Sequence, residues 1–392
     1  MNKTIGTPEG TRDRLFAECA VCRQVEQAAT GLFQRRGYTE LTTPNVEYYD
    51  IIPAAGHPLS QEAMMKCVER TGKLLVMRPD NTVAIGRVAA TKLSTLPLPL
   101  RLYYNQTVFR SDDINTGART EIDQCGVELI GAQGLRADLE ILSMAIDVLE
   151  ACGVEDYHIE IGHVGYFSAL LSALGAGEEL QGTLRACVEK KDYVSYRAAL
   201  RGYENQPAGK ALWQLPRLFG GPEVLETAKE LCGEPEAMKA IDYLEEIYGV
   251  LDQAGLSGHV QFDLGLIQNI EYYTGMIFRG FVPGAGSNVI SGGRYDRLIG
   301  QFGKEIPATG FGLDVEAVAG CLETPIHKGP DTLIWYELGC LKRARDLLEQ
   351  QPRQTAMLSA SQTPRAAEAE ARRLGASRLI LVTENEEKEA AL

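Results

Sequence analysis

The order of hydrophobic and polar positions predicts a long helix followed by a strand at the start of the chain. Between residues 14 and 36, apolar side chains such as Cys22 and Val25 recur at near-helical spacing, and Gly37 supplies a stop. The next residues, up to Pro44, alternate and include β-branched side chains. They therefore predict a short strand that ends at the proline.

The pattern from there to residue 162 predicts further strands and helices. Strands are predicted at 74–77, 102–109, 124–130 and 157–162, and helices at 83–93 and 137–152. The strands at 102–109 and 124–130 would pair in antiparallel fashion, with the polar segment 111–120 as their loop. The turn at 78–82 can cap the helix that follows it.

The composition and the predicted secondary structure change twice in the second half of the chain. Residues 165–255 are rich in Leu, Ala, Glu and Lys and predict a helical insertion. Strand character then returns at 260–264 and 276–281, a glycine-rich segment spans 280–303, and 309–318 predicts a strand that enters a helix. From about residue 330, strands at 332–336, 356–359 and 379–383 alternate with helices at 341–349 and 366–374 before an acidic tail. This alternation is typical of a small βαβαβ unit with a parallel sheet.

Composition indicates a globular protein of more than one domain. The 392 residues are 45% hydrophobic and 23% charged, which excludes a largely disordered chain. A net charge of −14 weighs against an extended nucleic-acid surface, because such surfaces carry cations. The N-terminus lacks the apolar core of a signal peptide, no stretch is apolar enough for a membrane span, and nine cysteines are scattered. These features predict a soluble, cytoplasmic protein in a reducing compartment.

Several common catalytic and metal-binding motifs are missing. The sequence has no GxxxxGK[ST] phosphate loop, no Gly-x-Ser-x-Gly elbow, no HExxH and no acidic strand end of the type that binds phosphoribosyl pyrophosphate. Cys19 and Cys22 have no second pair at zinc spacing and are more simply two thiols on a helix. The five histidines are not clustered. We therefore expect no metal and no cofactor.

What remains is a set of charged and aromatic side chains where strands meet loops. The set comprises Arg78, Asp80, Thr82, Arg110, Gln124, Glu128, Glu271, Tyr272, Tyr273 and Tyr295. Gln124 and Glu128 are four residues apart on a predicted strand, so both point to one face. Each residue alone fits a solvated face or the edge of a core, but the joint pattern points to a functional site.

Read in order, these residues resemble the catalytic core of histidyl-tRNA synthetase, a class II aminoacyl-tRNA synthetase. The matching segments are 7–13, 37–44 (motif 1), 78–82, 108–110 and 124–128 (the ends of motif 2), 271–275, 292–296 and 310–312 (the start of motif 3). The resemblance implies an α+β fold in which an antiparallel sheet is flanked by helices. The core would comprise 1–165 and 256–325, with a helical insertion at 166–255 and a truncated, anticodon-binding-like α/β unit at 326–392. The residues around Pro44 would build a homodimer interface.

The resemblance also implies a retained pocket for histidine. An ammonium group needs an anion and acceptors, and an imidazole N–H needs a carboxylate or hydroxyl acceptor. The resemblance assigns the ammonium to Asp80, Thr82 and Gln124, the imidazole to Glu128, Tyr273 and Tyr295, and the carboxylate to Arg110.

The nucleotide half departs from the synthetase pattern. The altered positions are Ala118 and Ile122 in motif 2, Gln268 in place of a catalytic arginine, and Ala317 in place of the motif 3 arginine that clamps ATP. Asp112 and Asp113 closely follow Arg110, and two carboxylates there would repel a triphosphate. Adenylation builds charge at the α-phosphate, which a neutral amide stabilises far less than a guanidinium does. We therefore predict that adenylation is lost.

A kept histidine pocket and a lost ATP site resemble the regulatory subunits of ATP phosphoribosyltransferase, which are paralogues of histidyl-tRNA synthetase. The resemblance implies a non-catalytic subunit in a hetero-oligomer with the short-form catalytic subunit, acting at the first step of L-histidine biosynthesis. Histidine would be the feedback inhibitor, and no tRNA would bind. Three alternatives are a divergent working synthetase, an enzyme that moves an amino acid to another acceptor, and a scaffold whose pocket is a relic. The first two need ATP chemistry, which Gln268 and Ala317 oppose. The sequence does not exclude the scaffold.

Overall fold

The structure is a computed structural model that describes residues 6–54, 63–111, 119–267, 273–323, 329–352 and 355–392. The chain packs into two compact units, Met1–Thr324 and Pro325–Leu392. Each unit has its own sheet and its own buried apolar core.

The first unit is a mixture of helices and strands. Its helices are α1 (Ala17–Arg35), α2 (Ile51–Ala54), α3 (Asn81–Ala90), α4 (Leu135–Ala151), α5 (Val164–Ala173), α6 (Glu178–Glu189), α7 (Tyr193–Ala199), α8 (Pro207–Gln214), α9 (Glu223–Leu231), α10 (Pro235–Gln253) and α11 (Val315–Cys321). Its strands are β1 (Thr39–Glu40), β2 (Val46–Tyr48), β3 (Lys66–Val68), β4 (Leu74–Met77), β5 (Leu100–Phe109), β6 (Glu121–Ile130), β7 (His158–His163), β8 (Phe219–Gly220), β9 (Val260–Asp263), β10 (Met276–Phe281), β11 (Ile290–Arg294) and β12 (Ala308–Asp314). Within the described ranges, no helix combines the length and apolar composition that crossing a membrane requires.

A nine-stranded sheet forms the centre of this unit. Its strand order is β1-β5-β6-β12-β11-β10-β7-β9-β8. Neighbours are antiparallel except for the pairs β1–β5 and β7–β9. Strands β5 and β6 pair along their whole length, from Leu100 opposite Ile130 to Phe109 opposite Glu121, which confirms the predicted antiparallel pair.

Three helices cover one face of the central sheet, and the site lies on the other face. Helices α1, α4 and α11 pack against the covered face, and Val25 and Ile141 share a core with Cys125, Val127 and Leu129 of β6. Because side chains alternate along a strand, the even-numbered residues of β6 point to the opposite face. Helix α3 and the small sheet β2-β4-β3 cover part of that face through a second apolar core.

Strand β11 lies in the glycine-rich segment, for which the sequence predicts no strand. A Cβ on Gly292 would overlap the backbone of Gly310, and one on Gly293 would lie 2.6 Å from the carbonyl oxygen of Met276. Glycine is uncommon in strands because it weakens them. Here the neighbouring strands leave no space for a side chain, so the alternating apolar pattern that predicts a strand is absent.

The segment predicted to be a helical insertion contains α5 to α10 and, in addition, the two-residue strand β8. This strand extends the central sheet by pairing Phe219 with Asp263 of β9. The helices pack inward through apolar residues such as Phe167 and Leu244. Helices and sheet belong to one compact unit, so the separation of an insertion from a core stays a prediction.

The second unit contains the predicted βαβαβ arrangement and one further strand. Its elements are β13 (Thr332–Tyr336), α12 (Leu341–Gln350), β14 (Ala356–Leu358), α13 (Pro364–Leu374), β15 (Arg378–Val382) and β16 (Glu387–Ala391). Strands β14, β13 and β15 are parallel, as predicted. The acidic segment that the sequence analysis treats as a tail forms strand β16, which pairs antiparallel with β15. The ladder and the ion pair between Arg378 and Glu389, at 2.6 Å, stabilise a segment with weak strand propensity.

Candidate functional site

A buried arginine fixes the turn between β4 and α3. The guanidinium of Arg78 donates to the carbonyl oxygens of Thr43 (2.9 Å), Pro44 (3.0 Å) and Thr107 (2.6 Å). Complete burial lowers the pKa of Arg78, and the three carbonyls compensate for much of the lost hydration. Arg78 therefore has a structural role, which is to hold the turn that carries Asp80 against β5.

Asp80 caps helix α3 and brings a negative charge to the site. Its carboxylate accepts the N–H of Val83 at 2.9 Å, as the turn predicts. Burial is the main reason why the pKa values of Tyr104, Glu128 and Tyr273 are raised, and the charge of Asp80 raises all three further. Asp80 thus lies within electrostatic reach of the predicted imidazole-binding residues.

Glu128 stands at the centre of the site and binds two hydroxyl groups. It is 1% exposed, and its two carboxylate oxygens accept hydrogen bonds from Thr82 (2.7 Å) and from the phenol of Tyr295. Burial raises the pKa of Glu128 to about 8, against the lowering effect of these two hydrogen bonds. The site therefore holds a carboxyl group that gains or loses a proton near neutral pH.

Two tyrosines enclose Glu128 from the direction of β10 and β11. Tyr295 is 3% exposed, and its N–H donates to the carbonyl oxygen of Ala308 at 2.8 Å. Tyr273 packs against a small apolar cluster that includes Ile277, and burial raises its pKa, with Asp80 and Glu128 adding to the shift. The phenol of Tyr273 therefore stays protonated at neutral pH and can donate a hydrogen bond, while the phenol of Tyr295 already donates to Glu128.

Gln124 and Arg110 lie at the margin of the site. The amide oxygen of Gln124 accepts a hydrogen bond from Asn81 at 3.3 Å, which joins β6 to the start of α3. The Nε of Arg110 donates to the carbonyl oxygen of Pro79 at 2.8 Å. Of the seven predicted histidine-binding residues, Thr82, Glu128 and Tyr295 are in direct contact, and the structure places the other four around them. Their role in binding stays a prediction.

Tyr104 is a neighbour of the site that the sequence analysis does not select. It is 2% exposed, and burial raises its pKa, with Glu128 as the next contribution. Its hydroxyl lies where a Cβ on Gly126 would be, and 3.1 Å from a Cβ built on Gly312. The alternation along β5 predicts that Tyr104 lies on a buried face of the strand. Only the pairing of β5 with β6 shows that this face carries the site.

The described nucleotide positions carry side chains that cannot clamp a phosphate. Ile122 pairs with Val108 between β6 and β5, and Ala317 lies in the first turn of α11, where Asp314 accepts its N–H at 2.9 Å. The other two altered positions, Ala118 and Gln268, lie outside the described residues, as do Asp112 and Asp113.

Two arginines beside Ala317 are bound by the chain's own carboxylates. Arg119 donates to Glu316 at 2.9 Å and also pairs with Asp314, and the Nε of Arg12 donates to Glu316 at 2.8 Å. Burial raises the pKa of Glu316, but the two guanidinium groups outweigh it and hold that pKa below its ordinary value. Both arginines, Glu316 and Ala317 line a cavity of about 500 Å³. The positive charge needed for a triphosphate is therefore already neutralised here.

The described residues offer no metal site. Among them, no three acidic, cysteine or histidine side chains converge as an ion would require. Cys19 and Cys22 both lie in α1, as expected for thiols on a helix, and Cys19 donates to the carbonyl oxygen of Arg14 at 3.1 Å.

Comparison with known proteins agrees with the sequence resemblance. Residues 10–318 match the family model described as histidyl-tRNA synthetase. Two relatives are named ATP phosphoribosyltransferase regulatory subunit. The one from Clostridium novyi (strain NT) is 39% identical over 81% of this chain and 76% of its own length. The one from Bacillus cereus (strain AH187) is 37% identical over 89% and 85%.

Solved structures give the same assignment at the level of the fold. An ATP phosphoribosyltransferase regulatory subunit/histidyl-tRNA synthetase from Bacillus halodurans C has a TM-score of 0.86 and 29% identity, covering 98% of this chain and 99% of that one. A histidyl-tRNA synthetase from Nostoc sp. PCC 7120, 17% identical, has a TM-score of 0.78 and covers 100% and 97%. These neighbours confirm the predicted α+β, class II synthetase-like fold. The relatives' names describe a regulatory and not a catalytic subunit. The chain belongs to the ATP phosphoribosyltransferase regulatory subunits, a family with the histidyl-tRNA synthetase fold.

Proposed function

We propose that this chain is a non-catalytic regulatory subunit that binds L-histidine and passes the signal to an ATP phosphoribosyltransferase catalytic subunit of the short form. The names of its relatives support the regulatory role. The observation that carries the choice of ligand is the buried Glu128 with the hydroxyl groups of Thr82 and Tyr295 on its two oxygens. The complex would act at the first step of L-histidine biosynthesis.

The polar groups of the site suit a small amino acid with an imidazole ring. The carboxyl group of Glu128 can accept a ring N–H, and the phenol of Tyr273 can complete the ring's second contact. The carboxylate of Asp80 at the start of α3 supplies the anion that an ammonium group needs. Gln124 adds an amide beside it.

Activation of histidine with ATP is not part of the proposed function. Ala317 cannot supply a cation, and Arg119 and Arg12 already bind Asp314 and Glu316. A triphosphate would have to displace these ion pairs and would still meet the carboxylates that it displaced.

The proposed regulation is a coupling between the pocket and the catalytic subunit, across a homodimer of this chain within a hetero-oligomer. Such coupling free energies are typically about 1–3 kcal/mol and are reciprocal. The inhibited state of the catalytic subunit should therefore tighten histidine binding to this chain. Glu128→Ala should weaken feedback inhibition while the complex still assembles, and unchanged feedback would place the sensing site elsewhere.

Isothermal titration calorimetry of the full chain with L-histidine, and separately with ATP and magnesium, tests the proposal. Binding of histidine without binding of ATP is the expected result. Binding of ATP, together with histidine-dependent exchange of pyrophosphate into ATP, would instead favour a divergent histidyl-tRNA synthetase. Absence of histidine binding, both alone and with the catalytic subunit present, would leave a scaffold with a relic pocket.

A further inference from the structure

The face of the sheet that carries Glu128 continues across three strands as a strip with few side chains. Glu128 on β6 lies opposite Gly310 on β12, and Gly310 lies opposite Gly293 on β11. Gly293 in turn lies opposite Ile277 on β10. Residues that lie opposite each other in a sheet point to the same face, so this row has a carboxyl group at one end and an apolar side chain at the other.

The neighbouring row of the same face ends in an arginine. Gly126 lies opposite Gly312, Gly312 opposite Ser291, and Ser291 opposite Arg279 on β10. At Gly126 and Gly312, added side chains would run into or against the hydroxyl of Tyr104. The four glycines of the two rows, Gly126, Gly293, Gly310 and Gly312, thus form a floor without side chains of its own, and the side chains of Glu128 and Tyr104 lie over parts of it.

Glu128 and Arg279 stand on opposite sides of this floor. They are three strand steps apart, or about 14 Å between backbones at the usual strand spacing. Both side chains project from the same face of the sheet, so a molecule that contacts both must span the gap between them. Tyr273 borders the same space: burial raises its pKa, Glu128 raises it further, and Arg279 lowers it.

Two acidic residues on the neighbouring strands β7 and β9 lie within electrostatic reach of Arg279. Glu160 of β7 lies directly opposite Arg279, and Asp263 of β9 follows on the same face. Asp263 is itself held, because its Oδ1 accepts the N–H of Gly265 at 2.9 Å. A guanidinium has five N–H donors in one plane, so it can contact these acids and a ligand carboxylate together.

We propose that Arg279 is the residue that binds the α-carboxylate of the amino acid in this pocket, across the glycine floor from the carboxyl group that binds the ring. This inference rests on the proposed function. Arg110 is the guanidinium that the synthetase resemblance assigns to this role, and its Nε donates to the carbonyl oxygen of Pro79, so variants of both residues are needed to separate the two arginines. A ligand anchored at Glu128 and Arg279 must carry both an imidazole and a carboxylate, which selects histidine over its decarboxylated or reduced analogues.

Calorimetric titration of the full chain with L-histidine and L-histidinol tests this assignment. Histidinol keeps the ring and the ammonium but has a hydroxyl in place of the carboxylate. The unmodified chain should bind histidine more tightly than histidinol. Arg279→Gln should weaken histidine binding by roughly 10- to 100-fold, the usual effect of losing a charged hydrogen bond, and leave histidinol binding unchanged. Arg279→Lys, which keeps the charge, should recover part of the loss, and Arg110→Gln tests the arginine to which the resemblance assigns the carboxylate.

Three results would overturn the assignment. Unchanged histidine binding by Arg279→Gln, with the loss appearing in Arg110→Gln instead, would give the carboxylate to Arg110. An equal loss of both ligands in Arg279→Gln and Arg279→Lys would make Arg279 a structural residue. If the unmodified chain bound neither compound, alone or with the catalytic subunit, the sensor itself would fail and the Arg279 assignment with it, which is distinguishable from the other two results.

Discussion

Thr82 donates its hydroxyl hydrogen to Glu128, with 2.7 Å between Thr82 Oγ1 and Glu128 Oε1. This bond joins the first turn of α3 to the middle of β6, so the helix that carries Asp80 and the strand that carries Gln124 are positioned relative to each other at the site. The hydroxyl of Tyr295 closes the other side of the same carboxyl group. A carboxyl group with no charged partner among its hydrogen bonds is costly to bury, so its presence here points to ligand binding and not to stability.

Replacing Glu128 with Gln tests this interpretation directly. The amide keeps the size of the side chain but replaces one hydrogen-bond-accepting oxygen with an NH2 donor, so histidine binding should weaken by roughly 10- to 100-fold. Glu121→Gln is the matched control, because Glu121 is exposed and lies on the same strand. Calorimetry of the two variants checks the prediction, and equal affinities would show that the ring does not bind at Glu128.

The same residue should make stability depend on pH. Burial raises the pKa of Glu128 from 4.5 to about 8, so between these values the folded chain holds a proton that the unfolded chain releases. The stabilisation is complete below the unfolded pKa and is lost as the pH rises through the folded one. The free energy of unfolding should fall over this window by at most about 1.4 kcal/mol per pH unit.

Urea unfolding between about pH 5 and pH 8 measures this slope, and Glu128→Gln isolates the contribution of the carboxyl group. The variant should show a shallower decline than the unmodified chain because it has no proton to lose at this position. Parallel curves for the two proteins would mean that the pKa of Glu128 is close to its ordinary value.

Segments with a periodic apolar pattern predicted their helices and strands well, but the sequence did not predict how the strands pair in the sheet. Helix α1 and the pair β5–β6 follow from apolar spacing, because each buries one face against a single core. Strand β11 was not predicted, because its glycines are required by the close approach of the neighbouring strands and do not show an alternating apolar pattern. Tyr104 and Arg279 were not predicted as site residues for a related reason. Alternation shows which residues of one strand share a face. Only the cross-strand pairing shows that Arg279 and Glu128 border the same floor. The loss of the nucleotide-binding residues was easier to predict, because the absence of a charged side chain at Ala317 can be seen in the sequence without any structure.

Releasing the arginines beside Ala317 should create an anion site. Glu316→Gln removes the carboxylate that Arg12 and Arg119 share, so the cavity gains net positive charge. Binding of inorganic pyrophosphate should become detectable and should weaken with added salt, because exposed charges are screened. Glu18→Gln is the control, since among the described residues Glu18 pairs with Arg12 and not with Arg119. The prediction fails if both variants bind pyrophosphate equally or if neither binds it at low ionic strength.

Breaking a buried ion pair next to the site should strongly destabilise the first unit. Arg294, which precedes Tyr295, donates to both oxygens of Asp138 on α4, at 2.6 Å and 3.2 Å, and Asp138 has no exposed side-chain surface. Asp138 also accepts a hydrogen bond from Tyr243 of α10 at 2.6 Å. Removing the charge of Asp138 leaves a buried guanidinium without its main partner, so Asp138→Asn should lower the free energy of unfolding by about 3–5 kcal/mol. Tyr243→Phe removes one hydrogen bond and should cost only about 1–2 kcal/mol. Urea unfolding of the two variants and of their double mutant measures both effects and their coupling. A loss in Asp138→Asn no larger than that in Tyr243→Phe would show that the ion pair contributes little to stability.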